Sequence, residues 1–198
     1  MWRWLVLLAA AACQVNEPDI EQPAQMTADA PENVFADTLI AFNSGGETTT
    51  CTTNLPECGP VTTGDCATGI PAATALGPDD AVGFTLDAHG VIEVAFRCNF
   101  IYLHGVNAGG AIIKDLRIYT GGSGRGVVEV SYDGTVFVTL APNPPSEQTS
   151  FGAGMIDLSL TATPGSPLPA ARFVRISDAT GEGGLVVDAV EALPAPPM

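Results

Sequence analysis

Basic side chains are scarce in this 198-residue chain. Seven lysines and arginines stand against twenty-two aspartates and glutamates, Lys114 is the only lysine, and the formal charge is −15. Nucleic-acid binding requires clustered basic groups that displace counterions, so this composition argues against nucleic acid as a partner. The same charge favours solubility outside the cell and the binding of divalent cations.

Aromatic side chains are also few, at 7% of the residues, and both tryptophans lie within the first four positions. Sugar-binding sites generally need an exposed aromatic platform with a few polar groups. Tyr102 lies next to a predicted loop and is the candidate ligand-binding residue, whereas Tyr119 and Tyr132 lie on predicted strands. This scarcity weighs against a conventional carbohydrate-binding module and keeps a protein partner as an alternative.

The familiar catalytic motifs are missing. No GxSxG or HExxH pattern occurs, and His89 and His104, the two histidines, stand beside glycines in contexts typical of surface loops. The many acidic residues leave paired-carboxylate glycoside cleavage open, so an extracellular hydrolase is kept as a minor alternative. The chain is predicted to be a binding protein and not an enzyme.

No stretch after the first thirteen residues is long and apolar enough to predict a membrane-spanning helix. Residues 1–12 (MWRWLVLLAAAA) combine one arginine, a short apolar run and small residues, the organisation of a secretory signal peptide. The small residues directly before Cys13 resemble the lipobox of bacterial lipoproteins, whose cysteine becomes the acylated first residue of the mature protein. This resemblance implies an exported, lipid-anchored protein, and Gln14 in place of aspartate implies the outer membrane or cell surface. An ordinary cleaved signal is the alternative.

Removal of the leader leaves four cysteines, Cys51, Cys58, Cys66 and Cys98. An even number in an exported chain predicts two disulfides, for which three pairings exist. Cys98 is predicted to face the core from a strand, and the favoured pairing is Cys51–Cys58 with Cys66–Cys98. A zinc site is disfavoured because no CxxC knuckle occurs.

The remaining chain divides into a tether and one domain. Residues 13–33 contain the acylated cysteine and an acidic, proline-containing segment predicted to be disordered. Residues 34–193 predict a single all-β domain, an antiparallel sandwich or jelly roll, because short alternating segments are separated by Gly and Pro turns. Within it, residues 43–72 form a Thr- and Gly-rich insertion with three of the cysteines. Residues 194–198 are a tail.

Local patterns place the strands. An Asp133-Gly134 step between two β-rich runs predicts a two-residue hairpin with a type I′ turn. The predicted strands cover residues 37–42, 91–98, 114–119, 127–140, 156–161, 171–177 and 185–193.

Six segments in order resemble a family of bacterial cell-surface domains. They read ADTLIAF, ATALGPDD, KDLRIYT, VEVSYDGTVFVTL, ARFVRISD and LVVDAVEAL between positions 36 and 193. Members of this family are galactose-binding-like jelly rolls, distantly similar to discoidin modules, and the resemblance implies that fold with recognition of a glycan or surface polymer. Since the fold hosts several roles, an envelope scaffold or adhesion protein that binds another protein is the alternative.

Galactose-binding-like domains often hold one structural calcium where the early loop meets the last strand. The resemblance places candidate ligands at Asp79, Asp80, Asp188 and Glu191, and calcium takes six to eight oxygen ligands. Asp188 and Glu191 point to opposite faces of an uninterrupted strand, so both bind only if a bulge or strand end intervenes, and Asp188 is preferred. The alternative is that these acids cap turns and accept backbone amides.

Overall fold

The computed structural model describes residues 34–54, 62–63, 71–121, 124–140, 149–151, 154–160, 168–178 and 181–194. The predicted leader, Cys13, the tether and residues 55–61 and 64–70 of the cysteine-containing insertion lie outside these ranges. Within them the chain forms short strands and a 3-10 turn at Pro71–Ala75. No helix in the described ranges is long and apolar enough to cross a membrane.

The strands are numbered in chain order. They are β1 (Thr38–Asn43), β2 (Thr49–Thr50), β3 (Thr52–Asn54), β4 (Thr62–Thr63), β5 (Phe84–Leu86), β6 (Val91–Ala95), β7 (Ile101–Tyr102), β8 (Leu116–Thr120), β9 (Gly124–Ser131), β10 (Val138–Thr139), β11 (Thr149–Phe151), β12 (Gly154–Leu158), β13 (Ala170–Ala171), β14 (Phe173–Asp178), β15 (Leu185–Val187) and β16 (Ala189–Ala192). Their pairing is antiparallel, as in β14 with β6 and β9 and in β8 with β12 and β16. The predicted all-β antiparallel class is confirmed.

Two sheets enclose the core. The larger has the order β10-β9-β14-β6-β1-β2, with β11 also paired to β9, and the smaller has the order β12-β8-β16. Short pairs join β13 to β7, β15 to β5 and β3 to β4. Val94 and Val174 of the larger sheet and Ile118 and Val190 of the smaller sheet belong to one buried cluster. Apolar burial between the sheets therefore holds a sandwich-like fold together.

Alternation along the strands decides what faces the core. On β14, Val174 and Ile176 are fully buried, and Arg175 between them points to the outer face. There its guanidinium donates to Glu93 of β6 at 2.9 Å and lies 3.5 Å from the centre of the Phe137 ring. A charged strand residue is thus covered on the outer face by a partner and an aromatic ring.

The predicted two-residue hairpin at Asp133-Gly134 is wrong. β9 and β10 are separated by residues 132–137, because the Asp133 carboxylate accepts the amide of Thr135 at 2.8 Å and its hydroxyl at 2.7 Å. Gly134 has φ of 76°, and a Cβ there would meet the Phe173 ring at 3.1 Å. The Asp133 side chain therefore caps a longer loop, and Gly134 lies close to the Phe173 ring, where a two-residue turn was predicted.

The predicted pairing of Cys66 with Cys98 is also wrong. β6 ends at Ala95, so Cys98 does not continue its inward alternation, and it is a half-buried free thiol. No disulfide joins two cysteines of the described ranges. Cys51 is buried and disulfide-bonded, and Cys58 and Cys66 lie outside the described ranges, so the predicted Cys51–Cys58 pairing stays a prediction.

Candidate functional site

The segment predicted as one strand over residues 185–193 is interrupted at Asp188. Before this residue β15 pairs with β5, and after it β16 pairs with β8, so the backbone changes partner there. The Asp188 amide donates to the carbonyl of Tyr119 at 2.9 Å, and the residue is only 3% exposed. A strand end therefore places a buried carboxylate at the junction of two strand pairs.

Asp188 and Asp79 form a carboxylate pair. Oδ2 of Asp188 accepts the amide of Ala81 at 2.9 Å, and Oδ1 of Asp79 lies 3.3 Å from the same amide. Oδ1 of Asp188 is buried, and no hydrogen-bond donor in the described residues reaches it. Burial, reinforced by the neighbouring Asp79, raises the pKa of Asp188 to about 6. When both groups are ionised neither can donate to the other, which is an arrangement that a cation relieves.

The backbone of the loop is shaped to meet this pair. Ala81 has φ of 63°, a left-handed conformation that costs a non-glycine residue about 1 kcal/mol, and its amide points at the carboxylates. At Gly83 an added Cβ would lie 2.5 Å from Cγ1 of Val186 and 2.8 Å from the carbonyl of Val187. Glycine is therefore required for the loop to lie against β15 beside Asp188.

Asp80 uses its carboxylate within the loop. Its Oδ1 accepts the amide of Val82 at 2.9 Å, which is the turn cap that the sequence left open as an alternative. No group of three or more His, Cys, Asp or Glu side chains is arranged to hold a metal in the part of the chain that the structure describes. A cation at Asp79 and Asp188 would need further oxygens from backbone carbonyls and water.

Glu191, the fourth acidic residue predicted for the site, lies in a different network. Its Oε2 accepts the Tyr119 hydroxyl at 2.8 Å and lies 3.9 Å from Nη1 of Arg117. Arg117 also donates twice to Asp157, at 2.7 and 3.0 Å, and this partner holds the pKa of Arg117 above its usual value. The structure thus brings together Asp79 and Asp188 and commits Glu191 to neighbours on β8.

Three aromatic rings, those of Phe100, Tyr102 and Tyr132, lie close together beside Arg172. Tyr102, the predicted ligand-binding residue, is half-buried with its ring centre 6.1 Å from that of Phe100. Tyr132 stacks on the same Phe100 at 5.7 Å with an interplanar angle of 27°, and it is 43% exposed. The Arg172 guanidinium lies 6.0 Å from the Phe100 ring. Tyr132 therefore offers more ring surface to solvent than Tyr102.

Sequence reasoning missed a buried polar cluster around Asp115. This side chain is 0% exposed, and its Oδ1 lies 2.9 Å from both the amide and Nδ1 of His104. Its Oδ2 accepts the Ser159 hydroxyl at 2.8 Å and the Leu160 amide at 2.7 Å. The serine donates to the carboxylate here, whereas a hydrolytic serine is activated by the imidazole. The cluster joins the loop before β8 to the end of β12.

Comparison of the chain with protein-family models gives no match, and comparison with curated proteins finds no similar sequence. The resemblance to galactose-binding-like domains therefore stays a prediction.

Proposed function

We propose that this chain is an exported, lipid-anchored surface protein whose β-sandwich binds a glycan or surface polymer and catalyses no reaction. In this proposal the sandwich is a galactose-binding-like jelly roll that is held by a structural calcium ion. The observation that carries the proposal is the Asp79–Asp188 pair, in which a buried carboxylate oxygen has no donor in the described residues. Two neighbouring carboxylates of this kind favour a cation as their partner.

Calcium fits the chemistry of this pair and the predicted location. It is a hard cation that takes oxygen ligands in flexible geometry, and extracellular modules bind it with dissociation constants of about 10⁻⁴–10⁻³ M. Asp79 and Asp188 would hold it, and its charge would offset the repulsion between them. The bound ion would fix the loop before β5 to the start of β16. A domain completed in this way works where calcium is plentiful, outside the cell.

Direct binding to polysaccharides tests the function. We expect the full-length chain, in detergent micelles, to bind at least one glycan on an array of bacterial and host polysaccharides in millimolar calcium. Binding is expected to weaken in chelator, because the loop at Asp79 loses its clamp. An array that stays silent with calcium present would contradict the proposal.

A protein partner is the second candidate, and one hairpin favours it. Val106 and Ile112 are bridged across this hairpin and are 59% and 56% exposed. The side-chain oxygen of Asn107 accepts the amides of Gly109 and Ala111 at 2.9 Å, so the tip has a defined shape. Exposed apolar side chains on a fixed tip suit a protein contact. Two results together would favour this candidate. The glycan array would show no binding, and a purified envelope protein would bind the wild type but not the V106T/I112T variant.

The lipid anchor is tested separately by mass spectrometry of the mature N-terminus. When the full chain is expressed in a bacterium that processes lipoproteins, the first residue is expected to be a diacylated or triacylated Cys13. The Cys13→Ser variant is the control, and it is expected to leave the membrane fraction. A free N-terminus at another residue of the wild-type protein would contradict acylation.

A further inference from the structure

We propose that Tyr132, stacked on Phe100, is the platform on which a pyranose ring of a neutral glycan lies. This assignment rests on the proposed glycan-binding function and names its site and ligand class. It moves the site from Tyr102 to the neighbouring ring that is more exposed.

The first support is the packing of the ring. Phe100 is 8% exposed and lies against Tyr132 in a stacked arrangement, while the Tyr102 ring is tilted by 44° against Phe100 with the ring centres 6.1 Å apart. The tyrosine therefore rests on a buried base and keeps 43% of its surface exposed. A ring that is fixed before binding loses little conformational entropy when a ligand stacks on it.

The second support is Asp133, the residue that follows Tyr132 in the chain. The exposed Asp133 accepts Ser131 Oγ at 3.1 Å, the Thr135 amide at 2.8 Å, the Thr135 hydroxyl at 2.7 Å and the Val136 amide at 3.2 Å. These donors, with those of Thr135 the strongest, hold the pKa of Asp133 below its usual value. A sugar site combines an aromatic surface for the apolar face of a pyranose with a few polar groups for its hydroxyls, and Asp133 supplies an ionised acceptor one residue after Tyr132.

Charge selects a neutral ligand. The chain carries a formal charge of −15, and one of its carboxylates, Asp133, directly follows Tyr132, so an acidic polymer would be repelled. Asp133 already accepts hydrogen bonds at both oxygens. Its remaining capacity suits a hydroxyl group better than the guanidinium of an arginine, whose paired contact uses both oxygens of a free carboxylate.

Fluorine NMR of the full-length chain labelled with 3-fluorotyrosine tests the contact. The three tyrosines give three signals, which the Tyr102→Phe, Tyr119→Phe and Tyr132→Phe variants assign. The probes are dextran, β-galactan and chitin oligosaccharides as neutral glycans, with alginate as the acidic control. On titration with a neutral glycan that binds, the Tyr132 signal is expected to shift and that of Tyr119, on the smaller sheet, to stay.

Affinity measurements on variants complete the test. Tyr132→Phe keeps the ring and is expected to bind within about threefold of the wild type, while Tyr132→Ala is expected to bind roughly 30-fold more weakly, the effect of losing a central aromatic contact. Met155→Ala, which removes a 61% exposed apolar side chain on β12, is the matched control and is expected to bind normally.

The outcomes separate this inference from the function on which it rests. A neutral glycan that binds Tyr132→Ala as well as the wild type, without moving the Tyr132 signal, overturns the platform and leaves the proposed function standing. Binding of alginate alone overturns the neutral ligand class. A full-length chain that binds no probe overturns both proposals. If Tyr132→Ala does not fold, the fluorine shift in the wild type decides.

Discussion

Replacing Asp115 with alanine is expected to lower the melting temperature by roughly 10 °C, corresponding to about 3–5 kcal/mol. The carboxylate is fully buried and accepts from His104, Ser159 and Leu160. Removing it takes the acceptor away from the buried amide of Leu160 and from the half-buried amide of His104, and each unsatisfied buried donor costs about 1–3 kcal/mol. Thermal unfolding of the full-length chain at neutral pH measures the loss.

Asp157→Ala is the matched control for this loss of an aspartate. Asp157 also accepts two short hydrogen bonds, from Arg117, but both side chains are about one-third exposed. Such a surface pair contributes at most about 1 kcal/mol, so its melting temperature is expected to change by only a few degrees. Equal losses for Asp115→Ala and Asp157→Ala would show that the buried cluster has no special role in stability.

Local alternation was enough to predict strands where neighbours on both sides are regular. The strand predicted over residues 171–177 agrees with β14, in which Val174 and Ile176 are buried and Arg175 between them is not. The same pattern hides the interruption at Asp188, because the flanking segments VV and AV read as one apolar run. The change of partner from β5 to β8 depends on contacts far along the chain, and no local signal encodes it.

The sequence does not predict the direction of a side chain that lies just outside the end of a strand. Asp115 directly precedes β8, and the alternation of Leu116 and Ile118 puts it on the outer face, yet it turns inward to accept donors from Ser159 and Leu160. Those donors lie more than forty residues later, so the sequence offers only a histidine and an aspartate flanking one loop. Local alternation predicts strands but does not predict these long-range partners.

For the four acidic residues predicted as calcium ligands, the sequence likewise predicts some positions correctly and misses the long-range partners of others. The resemblance placed Asp79 and Asp188 together, and the structure brings them to the same amide of Ala81. It also placed Glu191 with them, but that carboxylate binds Tyr119 of β8 instead. Asp188 lies at a strand end and contacts the loop at Ala81. Glu191, three residues later, is paired with Arg117 of β8. Only the pairing register decides between these two outcomes.

Replacing Asp188 with asparagine is expected to stabilise the calcium-free protein above pH 6 and to abolish its response to calcium. The amide keeps the shape of the carboxylate, removes a buried charge, and can donate to Asp79 from the position where Oδ1 now has no donor in the described residues. In the wild type, calcium at a hundredfold excess over its dissociation constant is expected to add about 2.7 kcal/mol, or several degrees. Glu191→Gln is the matched control and is expected to keep the full calcium response.

The pH dependence of this stabilisation follows from the pKa of Asp188. Burial raises it to about 6 from an ordinary value near 3.8, so the folded state holds this proton more tightly than the unfolded chain. The resulting contribution, up to about 3 kcal/mol, is complete below about pH 4 and is lost as the pH rises through 6. The melting temperature in chelator should therefore fall between pH 5 and pH 8 by more in the wild type than in Asp188→Asn. The increase in melting temperature on adding calcium should grow over the same interval.

Magnesium is expected to stabilise the protein less than calcium, because it demands octahedral geometry and gives up water reluctantly. Identical melting temperatures in calcium, magnesium and chelator at pH 8 would mean that these acids only cap the loop, since a cation that relieved the ionised pair would have to raise the melting temperature there.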